Sequence, residues 1–417
     1  MKLLIAIFFS MATLGFAAGT DYDPINLTVA PGSNPTQLNF AWQTTSAGKA
    51  VVQLIPAGGK AKTFAGTQAK VTATQFNADD ASVATGTFAD AVTVTGLTDA
   101  TTYEYRVGDG KNWSATYPLV THSQKEFAFL AVGDPQIGAK ATGAKSLDAD
   151  KAGWVDTLNQ ATTKFPNASF LLSLGDEVND YNKRTTQDAE YLAYFSPAQL
   201  RSLPLAAIEG NHDFQMGEYY GFHYNQPNRS ATYGTSYGND GDYWFVYGNV
   251  LFLLLNSNTE SVATHDVFLR DAIAKNPQTT WRIVAYHHAL YSEADHVTDP
   301  DVIDRRANYG PVFDRYHIDL ALGGHDHSYT RTYPIVGGKP QTAPNAAGTV
   351  YVTLNSGSGS KFYDWKDATP EVYSALRWQG KVPSYTSIAV SADQLTVTTY
   401  RTDDQSVVDT FSLKKAQ

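Results

Sequence analysis

The sequence predicts an all-β domain followed by a larger, layered α/β domain. The chain has 417 residues, more than one ordinary hydrophobic core holds, so two domains are expected. Segment 21–122 shows strand patterns only, whereas apolar runs alternate with helical segments from Phe127 onwards. A hydrophobic content of 42% with 17% charged residues is typical of globular proteins, so neither domain is expected to be disordered.

Segment 21–122 predicts a β-sandwich of roughly 100 residues. Apolar and polar residues alternate over 38–43 and again over 91–107, as they do in strands with one buried face. Leu97 and Tyr103 flank the turn within 91–107, an arrangement that resembles the tyrosine corner of sandwich domains. We therefore expect a fibronectin type III-like sandwich.

Segment 126–417 is expected to form the α/β domain. Apolar runs predict its buried strands at 127–132, 170–174, 205–208, 281–286, 318–322 and 350–354. Helices are expected at 152–164 and near 186–194. Three more strands near 385–390, 395–400 and 407–413 predict an antiparallel meander that is integral to this domain. Segment 217–242, rich in Gly, Tyr, Asn and Ser, is expected to cross the surface, where it could form a lid.

Charge and cysteine content exclude several classes of protein. The net charge is −10 and the pI is near 5.4, which argues against a basic nucleic-acid groove. The chain has no cysteine, so disulfide-stapled scaffolds and lipid-anchored lipoproteins are excluded. Any metal ion must then be bound through oxygen and nitrogen atoms.

Residues 1–19 predict a cleaved export signal. Lys2 precedes a continuous apolar run at 3–9, and small residues at 17–19 suit a cleavage site. The alternative is an uncleaved anchor, but the apolar stretch of about 16 residues is shorter than the ~20 that a spanning helix needs. We therefore expect an exported protein, secreted, periplasmic or at the cell surface, with no transmembrane span after cleavage.

Five short motifs place metal-binding side chains at the ends of apolar runs. They are Gly133-Asp134, Gly175-Asp176, Gly210-Asn211-His212-Asp213, Val284-x-x-His287 and Gly324-His325-Asp326-His327. An isolated Asp could cap a helix and an isolated Asn could serve a turn. Together, however, these carboxylate, amide and imidazole groups form the ligand set of a two-metal hydrolase. His325 and His327 alternate on a segment expected to be extended, so both should face one side.

The order and the residues of the five motifs resemble those of the calcineurin-like metallophosphoesterase superfamily, with its purple acid phosphatase-like branch as the nearest match. That branch also carries a fibronectin-like domain first, and Gly108-Asp109-Gly110 followed by Trp113-Ser114 resembles the end of it. The resemblance implies a layered α/β sandwich with two sheets. It also implies a hydroxide activated between two divalent or trivalent ions, such as Fe, Zn or Mn.

The resemblance assigns a role to each motif residue. The implied metal ligands are Asp134 and His327 on metal 1, Asp176 as a bridge, and Asn211, His287 and His325 on metal 2. His212 would stabilise the transition state or protonate the leaving oxygen. Asp213 could hold His212 in one tautomer. His296, in the loop after the fourth motif, could contact the substrate phosphate.

Two positions depart from the family pattern. Asn179 stands where purple acid phosphatases have the tyrosine that gives them their colour, so a purple iron site is not expected. Gln136 stands where other members have a histidine ligand of metal 1. Gln136 could take that place weakly or could bond a bound water, so metal 1 is the less certain site.

The predicted function is hydrolysis of a small phosphorylated substrate by an exported phosphoesterase. Phosphate monoesters are the first expectation, and phosphodiesters or nucleotides are the alternative. An alternative hypothesis is a cell-surface adhesion protein that carries a degenerate enzyme domain. A third hypothesis is that the candidate ligands hold one structural cation. Metal identity and oligomeric state stay open.

Overall fold

A computed structural model describes residues 22–74, 82–140, 144–235, 240–259 and 261–415. The expected export signal, 1–19, lies outside these residues. No helix in the described part of the chain is both long and apolar enough to cross a bilayer.

Eight antiparallel strands build the described part of the N-terminal domain. They are β1 Ile25–Pro31, β2 Gln37–Thr44, β3 Val51–Pro56, β4 Lys62–Ala65, β5 Thr67–Thr74, β6 Ser82–Thr95, β7 Thr102–Gly108 and β8 Tyr117–Val120. Two four-stranded sheets, in the orders β1-β2-β6-β5 and β4-β3-β7-β8, enclose a core that includes Phe40, Trp42 and Tyr105. The hydroxyl of Tyr103 accepts a hydrogen bond from the Thr98 amide at 2.8 Å, which confirms the tyrosine corner.

The second domain contains two larger sheets. Its strands are β9 Phe127–Val132, β10 Ala168–Ser173, β11 Leu205–Ala207, β12 Tyr243–Tyr247, β13 Val250–Leu254, β14 Trp281–Ala285, β15 Leu320–Gly323, β16 Tyr329–Thr332, β17 Ile335–Val336, β18 Lys339–Pro340, β19 Val350–Thr353, β20 Ser374–Trp378, β21 Ser384–Val390, β22 Gln394–Arg401 and β23 Val407–Lys414. One sheet has the order β11-β10-β9-β21-β22-β23, and the other β12-β13-β14-β15-β19-β16-β20. A separate hairpin pairs β17 with β18.

In the described residues, four α-helices cover the outer faces of the two sheets. They are α1 Ala144–Lys164, α2 Arg184–Tyr194, α3 Val262–Lys275 and α4 Pro300–Arg315. Residues of α1 and α2 pack on the first sheet, and residues of α3 and α4 pack on the second. Between the sheets lies an apolar core in which Phe129 and Phe170 stack with ring centroids 4.9 Å apart. The expected layered α/β sandwich with two sheets is thus confirmed, although α1 begins at Ala144 and not at 152.

The C-terminal meander belongs to the first large sheet, as predicted. β21 pairs antiparallel with β9, and β22 and β23 follow it outwards. The strand that ends at the first motif is therefore held on one side by the C-terminal part of the chain.

The expectation that segment 217–242 forms a lid is wrong for its described residues. Glu218 accepts hydrogen bonds from Thr72 at 2.6 Å and from Thr74 at 2.9 Å, both on β5. His223 is buried and stacks on Tyr191 with ring centroids 4.0 Å apart. The described residues of the segment therefore pack between the two domains, since Thr28 of β1 also donates to the His223 carbonyl at 3.1 Å.

Candidate metal centre

The motif loops meet because they follow parallel strands. β9, β10 and β11 run parallel in one sheet, and β14 and β15 run parallel in the other, so their carboxyl ends share an edge. The loops also hydrogen-bond to each other, since the backbone N–H of Gln136 donates to the backbone carbonyl of Asp176 at 2.7 Å. A Cβ at Gly210 would lie 2.1 Å from the Asp176 nitrogen, so glycine is needed for this approach.

Several candidate ligands sit on strained backbone. Asp134, Asp176, His325 and His327 have φ values of 40°, 49°, 72° and 42°, in the left-handed region. The expectation that His325 and His327 alternate on an extended segment is therefore wrong, because they lie in the loop between β15 and β16. The left-handed turns aim both imidazoles inwards, and such strain persists where surrounding contacts over-determine it.

Two buried clusters share one carboxylate. Asp176, His287 and His325 form one, and Asp134, Asp176 and His327 form the other. Within each cluster the ligand atoms lie within 4.8 Å of one another. A carboxylate common to two cation sites is the arrangement that holds two ions close together. The donor set, with oxygen and imidazole nitrogen, fits Zn, Fe or Mn better than Mg or Ca.

His287 has the surroundings of a metal-binding histidine. Its Nδ1 lies 2.8 Å from the Leu174 carbonyl oxygen. Because a carbonyl oxygen can only accept a hydrogen bond, Nδ1 carries a proton. Its Nε2 faces the cluster, 2.9 Å from Asn211 Oδ1 and 3.3 Å from Asp176 Oδ1. In many metal-binding histidines, the ring nitrogen that points away from the metal donates to a carbonyl oxygen, and this hydrogen bond fixes the tautomer.

Unpartnered polar atoms mark the other cluster. His327 Nδ1 and both amide atoms of Gln136 are buried and lack a hydrogen-bond partner among the described residues. Leaving a buried polar group unpaired costs about 1–3 kcal/mol, so a bound ion or its water would relieve this cost. Gln136 follows Asp134 by two residues, and its role as a ligand of metal 1 stays a prediction.

Burial controls the protonation of the cluster. It lowers the pKa of His325 and of His327, which leaves neutral imidazoles with a lone pair available for a cation. Burial also acts to lower the pKa of His287, but the charges of Asp176 and Asp134 and the hydrogen bonds to Asp176 and Leu174 together outweigh it and raise that pKa to about 9. Burial raises the pKa of Asp134, which a bound cation would reverse.

His212 is oriented by a backbone carbonyl. Its Nδ1 lies 2.6 Å from the carbonyl oxygen of Asn179, and its own amide donates to Asp176 at 2.9 Å. The expectation that Asp213 holds His212 in one tautomer is therefore wrong. Asp213 is buried elsewhere and accepts hydrogen bonds from the Gly210 amide at 2.9 Å and the Tyr191 hydroxyl at 3.3 Å.

An open cavity of about 390 Å³ lies in front of the clusters. Its lining residues are Asp176, Tyr181, Asn211, His212, Gln215, His296, His325, His327, Lys361 and Tyr363. His296 thus lines the cavity, as expected, with its ring stacked on His325 at 4.2 Å. Its Nδ1 lies 2.7 Å from Asp299. His288 is buried behind the cavity and bonds Ser257.

Sequence reasoning missed Lys361, Tyr363 and Gln215. Lys361 and Tyr363 follow β19, which is the parallel neighbour of β15, so their loop reaches the same edge as the motifs. The sequence signal that could have pointed to them is the apolar run at 350–354, which ends in a Ser- and Gly-rich loop as the motif strands end in loops. Gln215 lies two residues after the third motif, and this proximity was the signal that could have located it.

Comparison with known proteins agrees with this geometry. A family model described as calcineurin-like phosphoesterase matches residues 127–329, and one described as purple acid phosphatase, N-terminal domain, matches 24–121. Among curated relatives, purple acid phosphatase 1 of Ipomoea batatas is 26% identical over 202 residues, 44% of this chain and 42% of that protein. The Fe(3+)-Zn(2+) purple acid phosphatase 12 of Arabidopsis thaliana is 29% identical over 110 residues, 24% of this chain and 23% of that protein. The chain thus spans less than half the length of these relatives.

A solved structure supports the fold over most of the chain. Purple acid phosphatase PPD1 from yellow lupin (Lupinus luteus) seeds superposes with a TM-score of 0.74 at 16% identity, covering 94% of this chain and 74% of that one. With the two family models, this likeness accounts for both domains in order. The chain therefore belongs to the calcineurin-like metallophosphoesterases and carries a purple acid phosphatase N-terminal domain.

Proposed function

We propose that the protein hydrolyses phosphate esters, with monoesters as its substrates, at a site that holds two metal ions. The observation that carries this proposal is the pair of buried clusters that share Asp176 beside an open cavity. The relatives called purple acid phosphatases favour monoesters. A remnant domain kept for adhesion would have no physical reason to retain both clusters.

Each side chain has a distinct task in this proposal. Metal 1 would be held by Asp134, Asp176 and His327, with Gln136 adjacent, and metal 2 by Asp176, Asn211, His287 and His325. When bound, such ions lower the pKa of a water molecule and offset the negative charge of a phosphoryl group. The Leu174 carbonyl keeps the proton of His287 on Nδ1, so Nε2 stays free to face the cluster.

His212 would carry a proton at the leaving oxygen. The Asn179 carbonyl occupies Nδ1, so Nε2 is the ring nitrogen left for the substrate in the cavity. His296, on the far side of His325, would contact the phosphoryl oxygens. Asp213 would act only by holding the second and third motif loops together.

The proposal includes export from the cytoplasm. It rests on the charged start, the apolar run and the small residues within 1–19. N-terminal sequencing of the protein recovered from its native host would test it. A protein that begins at Met1 and stays inside the cell would contradict export without affecting the proposed hydrolysis.

A substrate panel tests the proposed activity. The purified chain would be loaded with Mn, Zn or Fe and assayed against phosphate monoesters and diesters, with bound metal measured for each sample. We expect monoester hydrolysis by at least one metal form, and its loss in Asp176→Asn. Asp148→Asn is the matched control, because Asp148 is exposed on α1, away from the cavity. Fewer than about one bound transition ion per chain, with no ester hydrolysed, would favour the adhesion reading.

A further inference from the structure

Lys361 is the one lysine or arginine among the described residues that line the cavity. The other lining groups are one carboxylate, four imidazoles, two amides and two phenols. Lys361 lies outside the five motifs, and the metal clusters do not include it. Because a phosphate ester is an anion, the placement of this cation bears on how the substrate is bound.

A rigid loop presents Lys361 to the cavity. The Gly357 amide donates to the Gly133 carbonyl at 2.6 Å, and the Ser356 hydroxyl donates to the Asp134 carbonyl at 3.1 Å. The hydroxyls of Ser358 and Ser360 both donate to the Pro135 carbonyl. The loop that carries Lys361 is thus fastened to the first motif, so its position relative to the candidate metal centre is fixed.

The side chain of Lys361 has a packing partner. Its Nζ lies 4.6 Å from the centroid of the Tyr363 ring, a cation–π contact that limits its rotamers. The Tyr363 ring also meets the edge of His327, with centroids 5.3 Å apart. Gln379 donates to the carbonyls of both Tyr363 and His327, at 2.8 and 2.7 Å. The lysine is therefore tied to the fifth motif as well.

We infer that Lys361 binds the phosphoryl group of the substrate and makes the site prefer dianionic monoesters to monoanionic diesters. This rests on the proposed function, in which the ligand is a phosphate ester. The attraction between two charges scales with their product, so the lysine gains about twice as much from a dianion at the same distance. A lysine binds phosphate as a point charge and needs no fixed bidentate geometry.

The test measures binding without turnover. Inorganic phosphate and dimethyl phosphate would be titrated into the metal-loaded protein by calorimetry at about pH 8, where inorganic phosphate is mostly dianionic. We expect Lys361→Gln to weaken phosphate binding by roughly 10-fold or more, as the loss of a charge-assisted hydrogen bond does. In the same variant, the affinity for dimethyl phosphate should fall by less than about 3-fold. Lys361→Arg should retain most of the affinity for inorganic phosphate.

Lys366→Gln is the matched control. Lys366 lies in the same segment, but its Nζ is 4.0 Å from Asp295 and it does not line the cavity. We expect wild-type phosphate affinity for this variant. Bound metal and the melting temperature would be measured for every protein, so that a loss of ions or of fold is separated from a loss of anion binding.

The outcomes separate this inference from the proposed function. If Lys361→Gln binds phosphate within about 2-fold of the wild type, or loses both anions equally, the inference is wrong while ester hydrolysis stands. If the wild type hydrolyses no ester but its phosphate binding depends on Lys361, the proposed function fails and the anion site remains. A wild type that binds no phosphate overturns the inference directly.

Discussion

The backbone carbonyl of Asn179 lies 2.6 Å from Nδ1 of His212. Asn179 is the residue at which this chain departs from the purple acid phosphatase pattern, and it contributes its backbone to the site. A carbonyl can only accept, so it keeps a proton on Nδ1 and leaves Nε2 to the substrate. Orientation of the candidate acid therefore depends on the loop after the second motif and not on Asp213.

Replacing His212 by Gln should slow hydrolysis without removing the ions. Positioned general acids contribute roughly 10²–10⁴-fold, so kcat should fall by that order while bound metal per chain stays at the wild-type value. Steady-state kinetics with metal analysis would check this. The effect should shrink for esters with good leaving groups such as p-nitrophenol, which need little protonation. An equal loss for all esters would contradict the acid role.

Replacing Gln136 by His should tighten metal binding on the Asp134 side. Both amide atoms of Gln136 are buried without partners, so an imidazole of similar size would add a stronger ligand at the same place. Competition with a chelator should show affinity raised by roughly 10-fold. Gln136→Leu is the matched control, and it should weaken the same ion if the amide serves as a ligand. Unchanged affinity in both variants would show that Gln136 makes no contact with metal.

Replacing Asp213 by Ala should destabilise the fold. The carboxylate accepts hydrogen bonds from the amides of Gly210, Glu177 and Val178 and from the Tyr191 hydroxyl, all in the buried interior. Leaving these donors unpaired should lower the free energy of unfolding by about 3 kcal/mol or more. Urea denaturation against Asp148→Ala would measure it. A loss below about 1 kcal/mol would show that water replaces the carboxylate.

Asp90 should make the stability of the N-terminal domain depend on pH. Burial raises its pKa to about 7, although hydrogen bonds from Gln68 and Tyr22 oppose the shift. A carboxyl group whose folded pKa is raised contributes stability that is present below about pH 4 and lost as the pH rises through about 7. Asp90→Asn should therefore melt higher than the wild type at about pH 8 and similarly at about pH 4. Exposed Asp99→Asn is the control, for which no such difference is expected.

The strand framework of the second domain followed from the sequence because its central strands, such as β9, β10 and β13, are buried on both faces. Continuous apolar runs such as Phe127–Val132 then stand out, and parallel strands bring their carboxyl ends to one edge. That is why Asp134, Asp176 and His287 could be grouped before any contact was known. The tyrosine corner was visible for a similar reason, since Tyr103 lies within a clear alternating pattern.

What escaped prediction depends on long-range contacts or local backbone strain. The left-handed φ of His325 and His327 is imposed by neighbouring loops, and non-glycine residues carry no sequence mark for it. Asp213 finds its donors in the loop that follows Asp176, which no spacing rule reveals. Lys361 reaches the cavity only because β19 lies beside β15, a matter of strand order.

The pairing of β9 with β21 has a consequence for the order in which the chain folds. Ala131 and Thr386 are partners in this pairing although 255 positions separate them in the chain. The strand that precedes Asp134 therefore lacks one hydrogen-bonded neighbour until residues 384–390 have been synthesised. Contacts between residues this far apart in the chain form slowly, so we expect the pairing of β9 with β21 to be a late folding step. Nascent chains arrested before residue 384 should have no assembled metal centre.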